Sequence, residues 1–165
     1  LSGETQAGLA RRMSGSDDDS RLARSLGRTR AIAVVGASTD WERPSCRIMQ
    51  YLQAMGYRIY PVNPNAVDGE ILGRPVHGSL ANIEKPIDLV NVFRRSDAVA
   101  NIVDQTIAVG AKVIWLQQGV RNDKAAAKAT DAGIEIIVDR CIKTEHFRLL
   151  GGPDQRKVDS RSAAA

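Results

Sequence analysis

The residues best suited to chemistry in this sequence lie between positions 31 and 45, in the stretch AIAVVGASTDWERPS. Five apolar residues lead into a glycine, a short run of small residues and then a basic residue at the start of a predicted helix. A strand, a glycine turn and a helix N-terminus together favour a phosphate, because backbone N–H groups and the positive helix end point at it. The candidate cradle consists of Gly36, Ala37, Ser38, Thr39, Arg43, Pro44 and Ser45.

Basic and amide side chains also follow other apolar segments of the chain. Arginine pairs with phosphates, and the amides of asparagine and glutamine hydrogen-bond to a base or to another amide. As one set, these side chains predict a site for a phosphorylated ligand. The candidates are Val62, Asn63 and Pro64, then Phe93, Arg94 and Arg95, and finally Gln117.

Two cysteines and two histidines are the remaining candidates for catalysis or metal binding. Cys46 and Cys141 lie far apart and form no CxxC or Cys/His spacing, so we expect neither a disulfide framework nor a metal site. His77 and His146 have no nucleophile partner in the sequence, and we assign no catalytic residue. Arg140 precedes Cys141 and favours a reactive thiolate there, although a buried structural cysteine is the preferred interpretation.

The elements that position these residues alternate regularly along the chain. Apolar strands are predicted over 31–35, 57–62, 87–93, 112–116 and 134–138, and helices over 45–55, 96–109, 123–132 and 142–150. This alternation is typical of a three-layer, Rossmann-like α/β fold with right-handed crossovers. We predict a mainly parallel sheet of five or slightly more strands, in the order 3-2-1-4-5, with helices on both faces.

The predicted fold places the candidate residues at one edge of the sheet. Ligands of open parallel sheets bind beyond the carboxyl ends of the strands, at the switch point beside the first strand. Four loops meet there, over 36–45, 62–65, 93–96 and 117–119.

The charge of the chain is concentrated at its termini. The chain has 165 residues and a net charge of +4, but without 1–30 and 151–165 its 14 basic residues nearly balance 13 acidic ones. A nearly neutral body argues against nucleic acid as a partner. The polar composition of 1–20 and 151–165 predicts flexible tails, which leaves 21–150 as one ligand-binding domain.

Membrane segments and leader peptides are not evident in the sequence. No stretch approaches the roughly 20 apolar residues that span a bilayer. The N-terminus also lacks the apolar region of a secretory signal. We therefore expect a cytoplasmic protein without a membrane partner.

A nicotinamide dinucleotide is an alternative ligand, but two features argue against it. The loop after the first strand reads GASTDW rather than GxGxxG. Dinucleotide readers also have an acidic residue at the end of the second strand for the ribose hydroxyls. Here that place is taken by Val62, Asn63 and Pro64.

Five segments in register carry a family resemblance: VVGASTDWERPS, YPVNP, DLVNVFRR, VIWLQQG and VDRCIKTEH. Over about 30–150 the chain resembles the small CoA-binding proteins, which are similar to the N-terminal domain of the succinyl-CoA synthetase α subunit. The resemblance implies a Rossmann-like fold that binds coenzyme A or acyl-CoA.

The resemblance also implies roles for the candidate residues. Gly36 to Ser38 would wrap the pyrophosphate, supported by Arg43 and the helix that begins at Ser45. Residues 62–64 would line the adenine side, Phe93 and Arg94 the ribose and diphosphate, and Gln117 the pantetheine arm. The synthetase has a lysine where this chain has Ala66, so the 3′-phosphate contact would pass to Arg94 or Arg95.

Three functions stay open at this point. The sequence favours a protein that binds coenzyme A without catalysis of its own, since we expect a single domain and no counterpart of the synthetase's second domain with its phosphorylated histidine. The alternatives are a CoA-ligase-like subunit that needs a partner and, less favoured, a nicotinamide-dependent oxidoreductase. A homodimer and a partner subunit are both compatible with the sequence.

Overall fold

The computed structural model describes residues 6–152, with side chains described from residue 15 onward. Its main sheet has five parallel strands, and a two-stranded hairpin lies between the second and third of these in the chain. The strands are β1 (Ala31–Val35), β2 (Arg58–Val62), β3 (Glu70–Ile71), β4 (Arg74–Pro75), β5 (Leu89–Val92), β6 (Val113–Leu116) and β7 (Glu135–Ile137). The helices are α1 (Gln6–Arg28), α2 (Pro44–Ala54), α3 (Val99–Val109), α4 (Asp123–Asp131) and α5 (Ile142–Leu150).

Helices cover both faces of the sheet because its strands are apolar on both sides. Successive side chains of a strand point to opposite faces. In β1, Ile32 and Val34 belong to the core beneath α1, α2 and α5. Ala31 and Ala33 belong to the core beneath α3 and α4. The predicted class, a Rossmann-like α/β fold with a parallel sheet and helices on both faces, is confirmed.

The predicted order of the strands is wrong. The observed order is β2-β1-β5-β6-β7, which is 2-1-3-4-5 when the parallel strands are counted along the chain. The outer edge of β2 is occupied by the segment that follows the hairpin, because the N–H of His77 donates to the carbonyl of Pro61 at 2.9 Å. The N–H of Asn63 in turn donates to the carbonyl of His77 at 2.9 Å. The third parallel strand, β5, therefore pairs with the free edge of β1, where Ile32 lies opposite Leu89.

The N-terminal helix α1 is a second difference from the sequence prediction. The sequence predicted a flexible tail over 1–20, and from Gln6 onward these residues form the first part of α1. Leu22 and Leu26 are fully buried in the core. The carboxylate of Asp19 binds the guanidinium of Arg148 on α5 at 2.7 Å. The buried leucines that follow residue 20, together with the ion pair of Asp19, hold α1 against the rest of the fold.

Some predicted features fall outside the described residues. They include residues 1–5 of the first predicted tail and residues 153–165 of the second, and the domain boundaries at 21 and 150 stay a prediction. Within the described part of the chain, the structure contains no helix with the length and apolar character that a membrane span requires.

Candidate functional site

The carboxyl ends of β1 and β5 lie side by side at the point where the strand order reverses. The chain leaves β1 towards α2 on one face of the sheet and leaves β5 towards α3 on the other. The two connections diverge and leave a crevice between them, as in other open α/β sheets. The candidate residues of the sequence cluster around this crevice.

Gly36 is required where β1 ends because the next strand passes very close to it. Its φ is 87°, in the left-handed region that favours glycine. A Cβ at this position would lie 2.5 Å from the carbonyl oxygen of Phe93. The glycine therefore permits the loops after β1 and β5 to approach each other.

The loop after β1 is tied to the end of β2. The N–H groups of Gly36 and Ala37 donate to the carbonyl of Val62 at 3.0 and 3.3 Å. Nδ2 of Asn63 donates to the carbonyl of Ala37 at 2.9 Å, and Oδ1 of Asn63 accepts from the N–H of Asn65 at 2.9 Å. These amides hold the loops together, so the expected anion contacts of Gly36 and Ala37 and the base contact of Asn63 are not prepared in this arrangement.

The N-terminus of α2 supplies backbone donors at the same place. Pro44 is the first helical residue, which suits a proline because the first N–H groups of a helix have no partner inside it. Ser45 follows and its side chain is buried at the crevice. The first turn of α2 therefore faces the crevice with the positive end of the helix dipole.

Three arginines surround the crevice. Arg43 precedes α2 and lies 3.9 Å from the carboxylate of Asp40, and Arg95 is 90% exposed beside Asp97. Arg94 is exposed, and no described residue forms an ion pair with it. Arg94 is thus the arginine with the least competition for an anionic ligand.

Three cavities meet at the crevice, and all of them are lined by Gly36 and Arg94. The largest, here called the main cleft, has a volume of about 510 Å³ and extends between α2 and the ends of β5 and β6. A cavity of about 270 Å³ lies on the α3 side, and one of about 380 Å³ lies against the loop after β1.

The cavities bring together thirteen of the predicted site residues. The main cleft is lined by Gly36, Arg43, Pro44, Ser45, Phe93, Arg94, Arg95 and Gln117. Val62 and Pro64 line the cavity on the α3 side, and Ala37, Ser38 and Asn63 line the cavity against the loop. Thr39 lines none of the three, and its carbonyl faces the thiol of Cys46 at 4.0 Å. Ligand binding by these residues stays a prediction.

Gln117 connects the main cleft to α5. Its side chain is 5% exposed, and its Oε1 accepts from the N–H of Ile142 at 3.2 Å. Its Nε2 is buried and has no hydrogen-bond partner among the described residues. A buried amide donor without a partner costs about 1 to 3 kcal/mol, so this nitrogen favours an acceptor in the cleft.

Asn91 is a feature that the sequence reading missed. It lies in β5, between Val34 of β1 and Trp115 of β6. It is fully buried, and neither polar atom of its side chain has a partner among the described residues. Because side chains alternate along a strand, Asn91 shares its face with Phe93 at the cleft. The signal in the sequence was a lone amide in the apolar run IDLVNVF.

The two histidines lie away from the main cleft. His146 is fully buried, and its Nδ1 is 2.9 Å from the hydroxyl of Tyr51. Tyr51 and Tyr57 contact the His146 ring edge-on, with centroids 5.5 and 5.6 Å away. His77 lies beside β2 and its ring is tilted against Tyr60. Within residues 15–152, no cluster of three His, Cys, Asp or Glu side chains is arranged to hold a metal ion.

The parallel sheet, its order and the crevice at the switch point define a Rossmann-like α/β protein. The sequence profile of the family described as "CoA binding domain" matches residues 30–147. The chain belongs to this family. The resemblance seen in the five sequence segments is thereby confirmed.

Individual relatives support the same assignment. The uncharacterized protein YneT of Bacillus subtilis (strain 168) is 41% identical over 121 residues, which cover 73% of this chain and 88% of YneT. A hypothetical protein from Pyrococcus horikoshii OT3 is 41% identical with a TM-score of 0.78, over 81% of this chain and 92% of that one.

A larger enzyme contains a similar fold. The dinucleotide-forming acetyl-coenzyme A synthetase 1 of Ca. Korarchaeum cryptofilum is 24% identical with a TM-score of 0.56. The match covers 65% of this chain but 25% of the synthetase. This likeness concerns the fold.

Proposed function

We propose that the chain binds coenzyme A or an acyl-CoA at the carboxyl edge of its parallel sheet, without catalytic residues of its own. The observation that carries the proposal is the meeting of three cavities at Gly36 and Arg94. A ligand with a diphosphate at its centre and a long arm on either side of it suits such a branched crevice. Membership of the CoA binding domain family supplies the identity of the ligand.

The chemistry of the crevice fits the parts of this ligand. Arg94 and the first turn of α2 favour the diphosphate. Val62 and Pro64 offer an apolar wall on the α3 side, next to the polar side chains of Asn101 and Gln105. Gln117 offers an amide donor to the peptide-like arm of the ligand. The end of β2 carries no carboxylate, so the crevice is less suited to a nicotinamide dinucleotide.

Calorimetric titration of the full chain with coenzyme A, acetyl-CoA, NAD and ATP tests the proposal. We expect coenzyme A and acetyl-CoA to bind, and NAD and ATP to bind at least tenfold more weakly or not at all. Absence of heat and of saturation with both CoA ligands would overturn the proposal.

Arg94→Gln is the variant that tests the position of the site. Loss of a hydrogen bond to a charged phosphate costs about 1.5 to 3 kcal/mol, so Kd should rise about 10- to 100-fold. Arg58→Gln is the matched control, since Arg58 is exposed at the amino end of β2, across the sheet from the crevice. Equal effects of the two substitutions would show that the ligand binds elsewhere.

A partner subunit is the second candidate function. It is favoured by the likeness in fold to one part of the acetyl-coenzyme A synthetase, of which this chain spans a quarter. Such a subunit would copurify with a partner, and CoA-ligase turnover would require both chains. A chain that binds coenzyme A alone and turns over no acyl-CoA with any copurified protein argues against it.

A further inference from the structure

The lining of the main cleft includes a cysteine, Cys141, in addition to its arginines. Arg94 and Arg95 follow β5, whereas Cys141 lies between β7 and α5. Ile48 and Val120 add apolar surface to the lining. The lining of the cleft therefore combines basic side chains, apolar surface and a cysteine.

The backbone on both sides of Cys141 is fixed to the end of β6. The N–H of Arg140 donates to the carbonyl of Leu116 at 3.3 Å. The carbonyl of Arg140 accepts from Nε1 of Trp115 at 2.8 Å, and the N–H of Ile142 donates to Gln117. These bonds fix the backbone on both sides of Cys141, which is half-buried and belongs to the lining of the cleft.

Gln117 indicates that this part of the cleft is built for a ligand. Its Nε2 is buried and unpartnered among the described residues, in the lining that also contains Cys141. A carbonyl of an amide-containing ligand arm would accept a hydrogen bond from it. An arm bound in this way would run from the arginines past Gln117 towards Cys141.

The second cysteine is placed differently. Cys46 is buried in α2, and its thiol faces the carbonyl of Thr39. It does not line the main cleft. The two cysteines therefore provide an internal comparison.

We infer that Cys141 is a thiol–disulfide exchange site for the disulfide form of the bound ligand, CoA disulfide. The inference rests on the proposed function and extends it. The Cys141 thiol loses its proton to solvent, and its sulfur attacks one sulfur of CoA disulfide. A bond forms between the protein and one CoA, the original S–S bond breaks, and the second CoA leaves as a thiolate. One disulfide replaces another, so no further oxidant is needed.

The test is intact-mass spectrometry of the reduced full chain after incubation with CoA disulfide. We expect one CoA per chain, removed by dithiothreitol, and peptide mapping should place it on Cys141. Cys46→Ser should form the adduct and Cys141→Ser should not. Because binding raises the effective concentration of the disulfide at the thiol, CoA disulfide should react about tenfold or more faster than glutathione disulfide. Arg94→Gln should remove that advantage.

Three results would overturn the inference: no adduct, an adduct on Cys46, or equal rates with the two disulfides. Failure of the exchange site must be distinguished from failure of the proposed function. Calorimetry of the wild-type chain with reduced CoA, in the presence of dithiothreitol, makes this distinction. Binding of reduced CoA without an adduct contradicts the exchange site alone. Absence of both contradicts the exchange site and CoA binding together.

Discussion

At the scale of single residues, the site depends on how closely two backbone segments approach each other. Gly36 lets the end of β1 pass the carbonyl of Phe93 at a distance that no side chain permits. The same loop donates two N–H groups to Val62. The loops after β1, β2 and β5 are thus in contact with one another at the floor of the crevice.

Replacement of Gly36 by alanine should destabilise the fold through a steric clash. Its added Cβ would meet the Phe93 carbonyl at 2.5 Å, and the positive φ adds strain. We expect a loss of about 3 kcal/mol or more in unfolding free energy, measured by urea denaturation.

Gly110→Ala is the control for the backbone strain alone. Gly110 has a φ of 77°, but a Cβ there meets no atom within 4 Å. A left-handed alanine costs about 1 to 2 kcal/mol, and the remainder for Gly36→Ala measures the clash. Equal losses in the two variants would contradict the close approach of the β1 and β5 loops.

At the scale of elements, ion pairs fasten α1 to α5. Arg148 binds Asp19 through both of its terminal nitrogens, at 2.8 and 2.7 Å. Hydrogen bonding from Arg148 lowers the pKa of Asp19. Hydrogen bonding from Arg21, together with the charge of Arg140, lowers the pKa of Asp18. Nη2 of Arg140 donates to the carboxylate of Asp18 at 2.7 Å. Since Arg140 precedes Cys141, this hydrogen bond also connects α1 to the lining of the cleft.

The attachment of α1 should weaken in acid. A lowered carboxyl pKa contributes stability that is complete above the unfolded-state value, ordinarily 3.8, and that disappears as the pH falls through the lower folded-state value. Between pH 7 and pH 3, the free energy of unfolding should therefore fall less for Asp19→Asn than for the wild type, as measured by urea denaturation.

Asp17→Asn provides the matched control, because it removes the same charge from an exposed position two residues away in α1. It should keep the pH dependence of the wild type. Identical pH dependence in wild type and Asp19→Asn would show that the Asp19–Arg148 pair does not contribute to stability.

The elements also show what sequence patterns can and cannot predict. Apolar runs and helical periodicity identified the five parallel strands and four of the helices, because burial on both faces leaves a local signature. The strand order is not local. The strand order depends on which edge of the β1–β2 pair is free after the hairpin. Because His77 pairs with β2, the free edge is that of β1. Similarly, α1 depends on partners in α5 that are more than a hundred residues away.

The position of the crevice was predictable from the sequence, and its detailed contacts were less so. Polar residues that directly follow apolar strands marked the crevice at Arg94 and Gln117. The sequence did not reveal that the amides of Gly36 and Ala37 are used by Val62, because that bond depends on the strand register. The buried Asn91 was equally invisible as a site feature, since its burial follows from the strands on both sides.

At the scale of the whole molecule, the cavities at Gly36 and Arg94 and the thiol of Cys141 lie at the carboxyl edge of the sheet. The amino edge is formed by tight turns, such as those at Gly110 and Gly133. A ligand at the carboxyl edge should therefore restrain the loops at that edge and leave the turns at the amino edge unchanged. This asymmetry gives a test that involves no substitution.

Hydrogen exchange with and without coenzyme A should map this asymmetry. At 100 times Kd the ligand adds about 2.7 kcal/mol to the free energy of global unfolding, so amides that exchange through global unfolding should slow throughout the core. Amides that exchange through local opening should slow at the carboxyl edge alone, because the ligand restrains the loops that it contacts.

We expect such local protection over 36–45, 62–65, 93–96, 117–119 and 140–144, and none over 56–57, 87–88, 110–112 and 133–134. Local protection at the amino-edge turns would place the ligand on the opposite side of the sheet, and uniform slowing without local protection would contradict a loop-bound ligand.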